Sequence, residues 1–313
     1  GVEDGQALVL TGTTDAAVGS TVTVTLEGHP YTGTVQTAAP GSSAGNTFSI
    51  TVPANVVDAL TEGGKTLALA VTNEFGTSAQ INRTVTVDTV ATVAPTLTLA
   101  ELANGVSAAE AADGLQVSVA LAEGTTAGDV IVFTITKPDN SVSSHQYIVT
   151  AADITNAGNN VPTLVTVPAS LLSANGSYSL NALVRDEAGN IGTAGTPVPF
   201  ALDTQAPGTN PDGTPTTTPA PVLVIAEAAG GITANELSDD LQVQVTLPTG
   251  SVVGDTLSIV ITDPSGNVRT FTHTVSASDL TSANTLLLVP ASFVSEDGSY
   301  TVSAFTTDAA GNT

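Results

Sequence analysis

The sequence predicts an all-β protein of tandem immunoglobulin-like β-sandwich domains in an elongated array. Short segments rich in Val and Thr alternate with Gly, Pro, Asn and Asp along the whole chain. No stretch keeps a 3.6-residue apolar period, so helices longer than a turn or two are not expected. Aromatic residues make up only 4% of the 313 residues. The small aliphatic side chains that remain suit thin cores between two sheets.

In the first part of the chain, five segments predict strands, because each is short, β-branched and bounded by turn residues. They are LVLTG (8–12), TVTVTL (21–26), FSITV (48–52), TLALAVT (66–72) and RTVTV (83–87). A sandwich of this kind has about seven strands per domain. The first part of the chain therefore holds most of one domain.

The middle and the end of the chain form a repeat of about 110 residues. APTLTLAEL (94–102) matches APVLVIAEA (220–228), and Pro95 and Pro221 set an offset of 126 residues. VPASLLSANGSYSL (167–180) matches VPASFVSEDGSYTV (289–302), where the offset is 122. The change indicates a deletion in the last repeat, most simply where NAGNNVPT is replaced by a shorter loop.

The first repeat is a more distant copy, and four segments are predicted along the chain. They are an N-terminally incomplete domain at 1–89 (unit 1), a domain at 90–204 (unit 2), a Pro- and Thr-rich linker at 205–220 and a C-terminally incomplete domain at 221–313 (unit 3). The linker from Asp88 to Pro95 spans seven residues, whereas that from Asp203 to Pro221 spans eighteen and contains five prolines. The second linker is predicted to be an extended, semi-rigid spacer.

The charge of the chain limits its partners. It has 29 Asp and Glu against 5 Lys and Arg, a formal net charge of -24. Nucleic-acid binding needs basic side chains to displace counterions, so no nucleic acid is expected, and adsorption to anionic lipid is disfavoured. No apolar run is long enough to predict a membrane span, so no direct membrane insertion is expected. Divalent cations, in contrast, are attracted.

One loop motif recurs after the predicted sixth strand. It is DEAGN in RDEAGN (185–190), DAAGN in TDAAGN (307–312) and, less clearly, TNEFGT (72–77), where Asn73 replaces the acid. Because the strands alternate in direction, this loop lies at the pole where its unit begins. The last strand of each unit ends at the opposite pole, in Asp-Thr. The simplest interpretation is a hairpin turn, since Asp, Gly and Asn are common turn residues.

The position of this loop also predicts a metal site, because acids from three places meet wherever two units join. Carboxylates about 4 Å apart repel by roughly 1 to 4 kcal/mol, so a cation is expected between them. Oxygen ligands suit Ca²⁺, whereas Zn²⁺ and Cu²⁺ prefer His and Cys. The predicted ligands at the first joint are Glu3 or Asp4, Asp88, Asp186 and Asn190; those at the second are Glu110 or Asp113, Asp203, Asp308 and Asn312.

Several short motifs occur in a consistent order. They are TVTVDT (84–89) and ALDTQAP (201–207) at unit ends, SAAEAAD (107–113) after a first strand, NGSYSL and DGSYTV entering the sixth, and DEAGN or DAAGN beyond it. In this order they resemble the bacterial Ig-like extender repeats of large calcium-dependent surface adhesins, the RTX and biofilm-associated proteins exported by type I secretion.

The resemblance implies a function outside the cell. It implies a stalk segment of a bacterial cell-surface adhesin, supporting adhesion and biofilm formation, in which Ca²⁺ at the domain junctions stiffens the array. As junction ligands it implies Asp88 with Asp186, and Asp203 with Asp308. Its partners would be the neighbouring Ig-like repeats of the same chain, and a host-surface or matrix ligand would be bound through other regions of the protein.

An enzyme is not expected. His29, His145 and His273 do not occupy equivalent repeat positions and are predicted to lie on strand surfaces or rims. Ser144 and His145 would not form a triad with Asp139, because neighbouring side chains on a strand point to opposite faces. The chain also has no GxSxG, HExxH, P-loop or GxGxxG motif in a strand-to-helix setting.

Two alternatives to a stalk segment remain open. The first is an S-layer or fibre-forming subunit that exchanges strands with its neighbours. The second is a carbohydrate- or protein-binding adhesin domain, in which tyrosines would stack on sugars. Tyr178 and Tyr300, which are repeat equivalents, also fit a structural tyrosine corner.

Overall fold

The computed structural model describes residues 5–38, 45–100 and 104–313. It shows a chain of tandem β-sandwiches with few helices, which confirms the predicted fold class. Three separate hydrophobic cores lie along the chain, one within each predicted unit. Glu3 and Asp4, two of the predicted metal ligands, lie outside the described residues.

Unit 1 has two sheets in its described part. In one sheet β1 pairs with β4, and in the other the order is β3-β2-β5-β6, with β7 also paired to β5. All five predicted strands are confirmed, and β3 was missed because Pro30 and Gly33 weaken its pattern. The strands are β1 (Leu8–Thr14), β2 (Thr21–Leu26), β3 (His29–Thr34), β4 (Asn46–Val52), β5 (Gly63–Asn73), β6 (Gly76–Thr77) and β7 (Ile81–Val87).

Unit 2 contains a three-stranded sheet, β12-β9-β8, and a four-stranded sheet, β11-β10-β13-β14. Alternate residues of β10, namely Ile131, Phe133 and Ile135, are fully buried in the core. Each such side chain stabilises the fold by about 1.5 to 3 kcal/mol. The strands are β8 (Thr96–Leu99), β9 (Leu115–Ala120), β10 (Val130–Thr136), β11 (Val142–Ile148), β12 (Thr163–Val167), β13 (Gly176–Arg185) and β14 (Val198–Leu202).

Unit 3 repeats unit 2 strand for strand up to β20. The strands are β15 (Val222–Val224), β16 (Leu241–Thr246), β17 (Thr256–Thr262), β18 (Val268–Thr274), β19 (Thr285–Val289) and β20 (Thr301–Thr307). They form the sheets β15-β16-β19 and β18-β17-β20. Ile259 pairs with Phe271 and Ala304, as Phe133 pairs with His145 and Ala182. These registers reproduce both sequence offsets.

The described helices are short: α1 (Ala54–Val57), α2 (Ala108–Ala112), α3 (Ala151–Gly158) and α4 (Ala277–Thr281). The deletion between the repeats falls between α3 and β12 of unit 2, since α4 of unit 3 is shorter and β19 follows it sooner. Of the helices in the described ranges, none has the length and apolar content to cross a membrane.

The second linker is folded, so the prediction of an extended spacer was wrong. Gly208 N–H donates to Thr249 O at 2.8 Å, and Thr249 N–H donates to Thr218 O at 3.0 Å. Both ends of the linker are therefore attached to the same loop of unit 3. Between them, Asn210 N–H donates to Thr214 O at 2.7 Å. The prolines alternate with residues that keep their N–H donors, and these donors close turns.

Candidate metal centre at the joints between units

The recurring Asp-x-x-Gly-Asn loops are closed turns. In DEAGN, Oδ1 of Asp186 accepts from the backbone N–H of Asn190 at 2.8 Å, and Oδ2 accepts from its Nδ2 at 2.8 Å. In DAAGN, Asp308 accepts from Asn312 in the same way, at 2.9 and 2.8 Å. Gly189, with φ of +92°, occupies the left-handed region that the turn requires.

A third copy of this turn lies away from the joints. DPSGN (263–267) connects β17 and β18, and Asp263 accepts from the backbone N–H and Nδ2 of Asn267 at 2.7 and 2.9 Å. In the described part of the chain, the hydrogen bonds of this Asn side chain stay within its own hairpin. The hairpin interpretation therefore explains the turn. It does not explain what the Asn side chains do at the joints.

At the first joint, Asn190 reaches across to unit 1. Its Nδ2 donates to Asp88 O at 3.1 Å and lies 3.3 Å from Asp88 Oδ1, in addition to its bond with Asp186. Asn190 is 5% exposed, so these bonds are shielded from water. Asp88 and Asp186, a predicted ligand pair, are thus brought together around the amide of Asn190.

A cavity of about 670 Å³ lies at this first joint. Five acidic residues line it, namely Asp88, Glu123, Asp129, Asp186 and Glu187. Three of them were missed from the sequence. Asp129 could have been found, because GDV at 128–130 and GDT at 254–256 repeat with the same offset of 126 residues.

At the second joint, Asn312 is held by unit 2 through both ends of its side chain. Its Nδ2 donates to Asp203 O at 2.8 Å, and its Oδ1 accepts from the N–H of Ala108, the first residue of α2, at 2.8 Å. Asp203 and Asp308 therefore meet around one amide, as their counterparts do at the first joint. We call this arrangement of an Asn side chain between two Asp residues the clasp.

Glu110 and Asp113, also predicted ligands, have other positions. Oε2 of Glu110 accepts from the N–H and the hydroxyl of Ser107, both at 2.8 Å, which forms a capping box for α2. Glu236 repeats this arrangement in unit 3 with Thr233. Asp113 is exposed at the other end of α2. Within the described ranges, neither Glu110 nor Asp113 has a hydrogen bond to the clasp.

A buried aspartate lies in each loop that leads into β10 or β17. Asp129 and Asp255 are each 1% exposed. Both oxygens of Asp129 are satisfied by Thr126, from its backbone N–H at 2.8 Å and its hydroxyl at 3.1 Å. In unit 3, Val252 N–H donates to Asp255 Oδ2 at 2.8 Å, while Oδ1 is buried without a hydrogen-bond partner in the residues described.

The surroundings of Asp255 disfavour its negative charge. Burial raises the pKa of this carboxyl, the N–H of Val252 lowers it, and the charges of Asp308 and Asp203 raise it further, so that the pKa is above its ordinary value. A buried polar group left without a partner costs about 1 to 3 kcal/mol, and more when it is charged. A cation bound beside Asp255 would remove this penalty.

The donors at the joints fit a hard cation, although they are not arranged as a cage. No three His, Asp or Glu side chains within 5–38, 45–100 and 104–313 converge as a metal cluster. At each joint an Asn amide nitrogen lies between two Asp residues instead. The other candidate metal ligands at the joints are carboxylate, carbonyl and amide oxygens, which Ca²⁺ binds with flexible coordination geometry. Turning the Asn amide would present its oxygen to an ion.

One histidine and three tyrosines make hydrogen bonds within their own units. Nε2 of His273 lies 2.9 Å from Oδ2 of Asp279, at the position where Tyr147 donates to Asp153 at 2.8 Å in unit 2. The hydroxyl of Tyr178 donates to the carbonyl of Ala174 at 2.8 Å, and Tyr300 makes the same bond to Glu296 at 2.9 Å. The tyrosine corner is thus confirmed in both units.

The comparisons with known proteins give distant likenesses. No protein-family model matches the chain, and no curated protein matches it. One similar solved structure comes from work on the host cell surface retention of a 1.5-MDa bacterial ice-binding adhesin. It shares 22% sequence identity with this chain, and the match covers 99% of this chain and 88% of that chain with a TM-score of 0.35.

Two further solved structures are similar at lower scores. A tetra-tandem repeat in the extending region of a large adhesion protein shares 19% identity, covering 99% of this chain and 69% of that one, with a TM-score of 0.30. A two-domain fibronectin type III segment from chicken tenascin shares 10% identity over 69% of this chain and 91% of that one, with a TM-score of 0.25. At these TM-scores the likenesses do not carry a function over to this chain.

Proposed function

We propose that this chain is a non-enzymatic extender segment of a bacterial cell-surface adhesin, whose joints are made rigid by bound Ca²⁺ and which supports adhesion and biofilm formation outside the cell. The observation that supports it is the clasp. The same Asp-x-x-Gly-Asn loop contacts the closing Asp of the preceding unit at both joints, through Asn190 and through Asn312.

The proposed ligands are acids and amides at or near the joints. At the first joint they are the carboxylates of Asp88, Asp129 and Asp186 and the amide oxygen of Asn190. At the second joint they are Asp203, Asp255, Asp308 and Asn312. An ion bound to two neighbouring units removes their freedom to hinge, and binding to the folded state alone stabilises both units.

The same acids make the joint sensitive to calcium concentration. Five acidic residues line the cavity of the first joint. At low calcium their charges repel one another, which favours a looser chain suited to type I secretion. At extracellular calcium the charges are neutralised and the joint becomes rigid. The stalk would therefore stiffen only after export.

Small-angle X-ray scattering and thermal melting, in millimolar Ca²⁺ and again in chelator, test this proposal. With calcium at one hundred times Kd, linkage stabilises a unit by about 2.7 kcal/mol. For a domain of about 100 residues this corresponds to a rise in Tm of about 10 to 20 °C. We expect both Tm and maximum dimension to rise with calcium. If both stay unchanged, the calcium clamp is wrong.

Matched variants distinguish the role of the Asp carboxylate at a joint from its role in forming the turn. Asp186→Ala and Asp308→Ala remove a carboxylate from a joint, and Asp263→Ala removes the equivalent carboxylate from the hairpin loop DPSGN. We expect the first two variants to lose much of the calcium-induced rise in Tm, and Asp263→Ala to keep it. Asp186→Ala should loosen the first joint while unit 2 stays folded. Global unfolding of unit 2 in this variant would contradict a joint-specific role.

A further inference from the structure

The loops that precede β10 and β17 have the same backbone hydrogen bonds. Gly128 N–H donates to Val149 O and Val149 N–H to Asp129 O, at 2.9 and 2.8 Å. The equivalent bonds in unit 3 run from Gly254 to Val275 and from Val275 to Asp255, at the same two distances. The two aspartates are therefore presented to their joints by loops of one conformation.

One side-chain hydrogen bond of the aspartate differs between the two units. The N–H of residue 126 or 252 donates to Oδ2 of the aspartate at 2.8 Å in both units. In unit 2 the hydroxyl of Thr126 also donates to Oδ1 of Asp129, at 3.1 Å. Val252 has a methyl group in place of that hydroxyl, so Oδ1 of Asp255 is left without a donor among the described residues.

The charges of two more carboxylates act on Asp255. Asp203 closes unit 2 and Asp308 begins the DAAGN loop, and both act electrostatically on Asp255. Asp255 is 1% exposed, so water screens these charges poorly. In the described ranges the ion pairs are Lys65 with Glu27 and His273 with Asp279, and neither of them includes Asp255.

We propose that residue 252, Val in unit 3 where unit 2 has Thr126, makes the second joint more dependent on a bound divalent cation than the first joint. The proposal rests on the proposed calcium clamp and extends it to a difference between its two sites. Without a cation, Asp255 lacks the hydroxyl donor that Asp129 has in unit 2. A hard cation at Oδ1 supplies the missing partner and offsets the repulsion from Asp203 and Asp308.

Reciprocal substitutions at residues 126 and 252, made in the full chain, test the proposal. Val252→Thr adds the hydroxyl to unit 3, and Thr126→Val removes it from unit 2. Val253→Thr is the matched control, because Val253 is also exposed and the same chemical change is made one residue away. Hydrogen exchange read by mass spectrometry follows β10 and β17 separately, in Ca²⁺ and in chelator.

In the wild-type chain we expect calcium to slow exchange in β17 by a larger factor than in β10. Val252→Thr should slow exchange of β17 in chelator about tenfold and reduce its response to calcium by a similar factor, since one hydrogen bond to a charged group contributes about that much. Thr126→Val should make β10 more dependent on calcium. Val253→Thr should leave both strands unchanged.

Two results would overturn the proposal, and only one of them would also overturn the calcium clamp. If calcium protects β10 and β17 but neither substitution alters that response to calcium, the proposed role of residue 252 is wrong and the calcium clamp stands. If calcium protects neither strand in the wild-type chain, the clamp and the role of residue 252 are both wrong. Isothermal titration with Ca²⁺ gives an independent measure of the affinities.

Discussion

The two joints contain the same clasp in different electrostatic surroundings. At the first joint five acidic residues line a cavity of about 670 Å³. Two of these acids, Glu123 and Glu187, have no acidic counterpart in unit 3, where the offsets place Thr249 and Ala309. At the second joint, the cavity of about 850 Å³ between unit 2, the linker and the DAAGN loop has no acidic residue in its lining.

The difference shows that a repeated motif does not repeat its environment. The clasp depends on the Asp-x-x-Gly-Asn loop and on the backbone carbonyl of the preceding Asp, so it survives changes in the surrounding side chains. The charge around it depends on residues that vary between the repeats. Thr126 satisfies Asp129 at the first joint, and Val252 leaves Asp255 unsatisfied at the second.

The largest expected effect comes from removing the clasp. Asn312→Ala removes the side chain's bonds to Asp203, Asp308 and Ala108. At about 1 kcal/mol for each hydrogen bond, the cost is about 3 kcal/mol in chelator. Hydrogen exchange of β14 and β20 along a denaturant series measures it.

Asn190→Ala should cost less at its own joint, because Asn190 bonds to unit 1 through Asp88 alone in the described ranges. Asn267→Ala is the control, since it breaks the same turn away from any joint. We expect it to destabilise unit 3 by about 1 kcal/mol without changing the maximum dimension of the chain. An equal change in dimension for Asn267→Ala and Asn312→Ala would show that the clasp does not hold the units together.

The seven-residue linker gives a second test, at the first joint only. A Cβ atom on Gly192 would lie 2.1 Å from the carbonyl oxygen of Thr92, in the linker. Backbone atoms cannot turn aside as a side chain does, so Gly192→Ala should displace the linker at a cost of about 1 to 3 kcal/mol. Small-angle scattering and the Tm of unit 2 follow the change. Gly158→Ala, with open space around the new atom, should leave both measurements unchanged.

The smallest effect is a dependence on pH confined to the second joint. Because the pKa of Asp255 is raised, the folded state keeps a proton that the unfolded state has already lost. The free energy of unfolding of unit 3 in chelator should therefore fall as the pH rises from the ordinary Asp pKa through the raised one. Chemical denaturation at several pH values measures this change.

Other aspartates of unit 3 act in the opposite direction at lower pH. The pKa of Asp279 is lowered chiefly by a hydrogen bond from the hydroxyl of Ser276. The pKa of Asp263 is lowered chiefly by a hydrogen bond from the side-chain amide of Asn267. Their contributions are complete above the ordinary Asp pKa and are lost as the pH falls through the lowered values. Asp255→Asn should therefore flatten only the upper part of the profile. A profile that keeps its slope in this variant would assign the effect to another group.

Much of the fold was predictable because it depends on local patterns. Short β-branched segments between turn residues predicted the strands of unit 1, and the strand registers of units 2 and 3 agree with the sequence offsets of 126 and 122. The second linker was not predictable in this way. Its proline content indicated an extended chain, but Gly208 and Thr218 bond to Thr249, a residue of the following unit. Such a partner is known only when the chain has folded.

The sequence by itself determined which residues recur at the joints, because Asp186, Asp308 and the aspartates that close each unit stand at fixed places in a strand pattern. Only the tertiary structure decided what they contact. It placed the amides of Asn190 and Asn312 between the acids, used Glu110 to cap α2, and brought Asp255 near Asp203 and Asp308. The physical reason is that position along a strand is a local property, whereas burial and hydrogen-bond partners depend on residues distant in the chain.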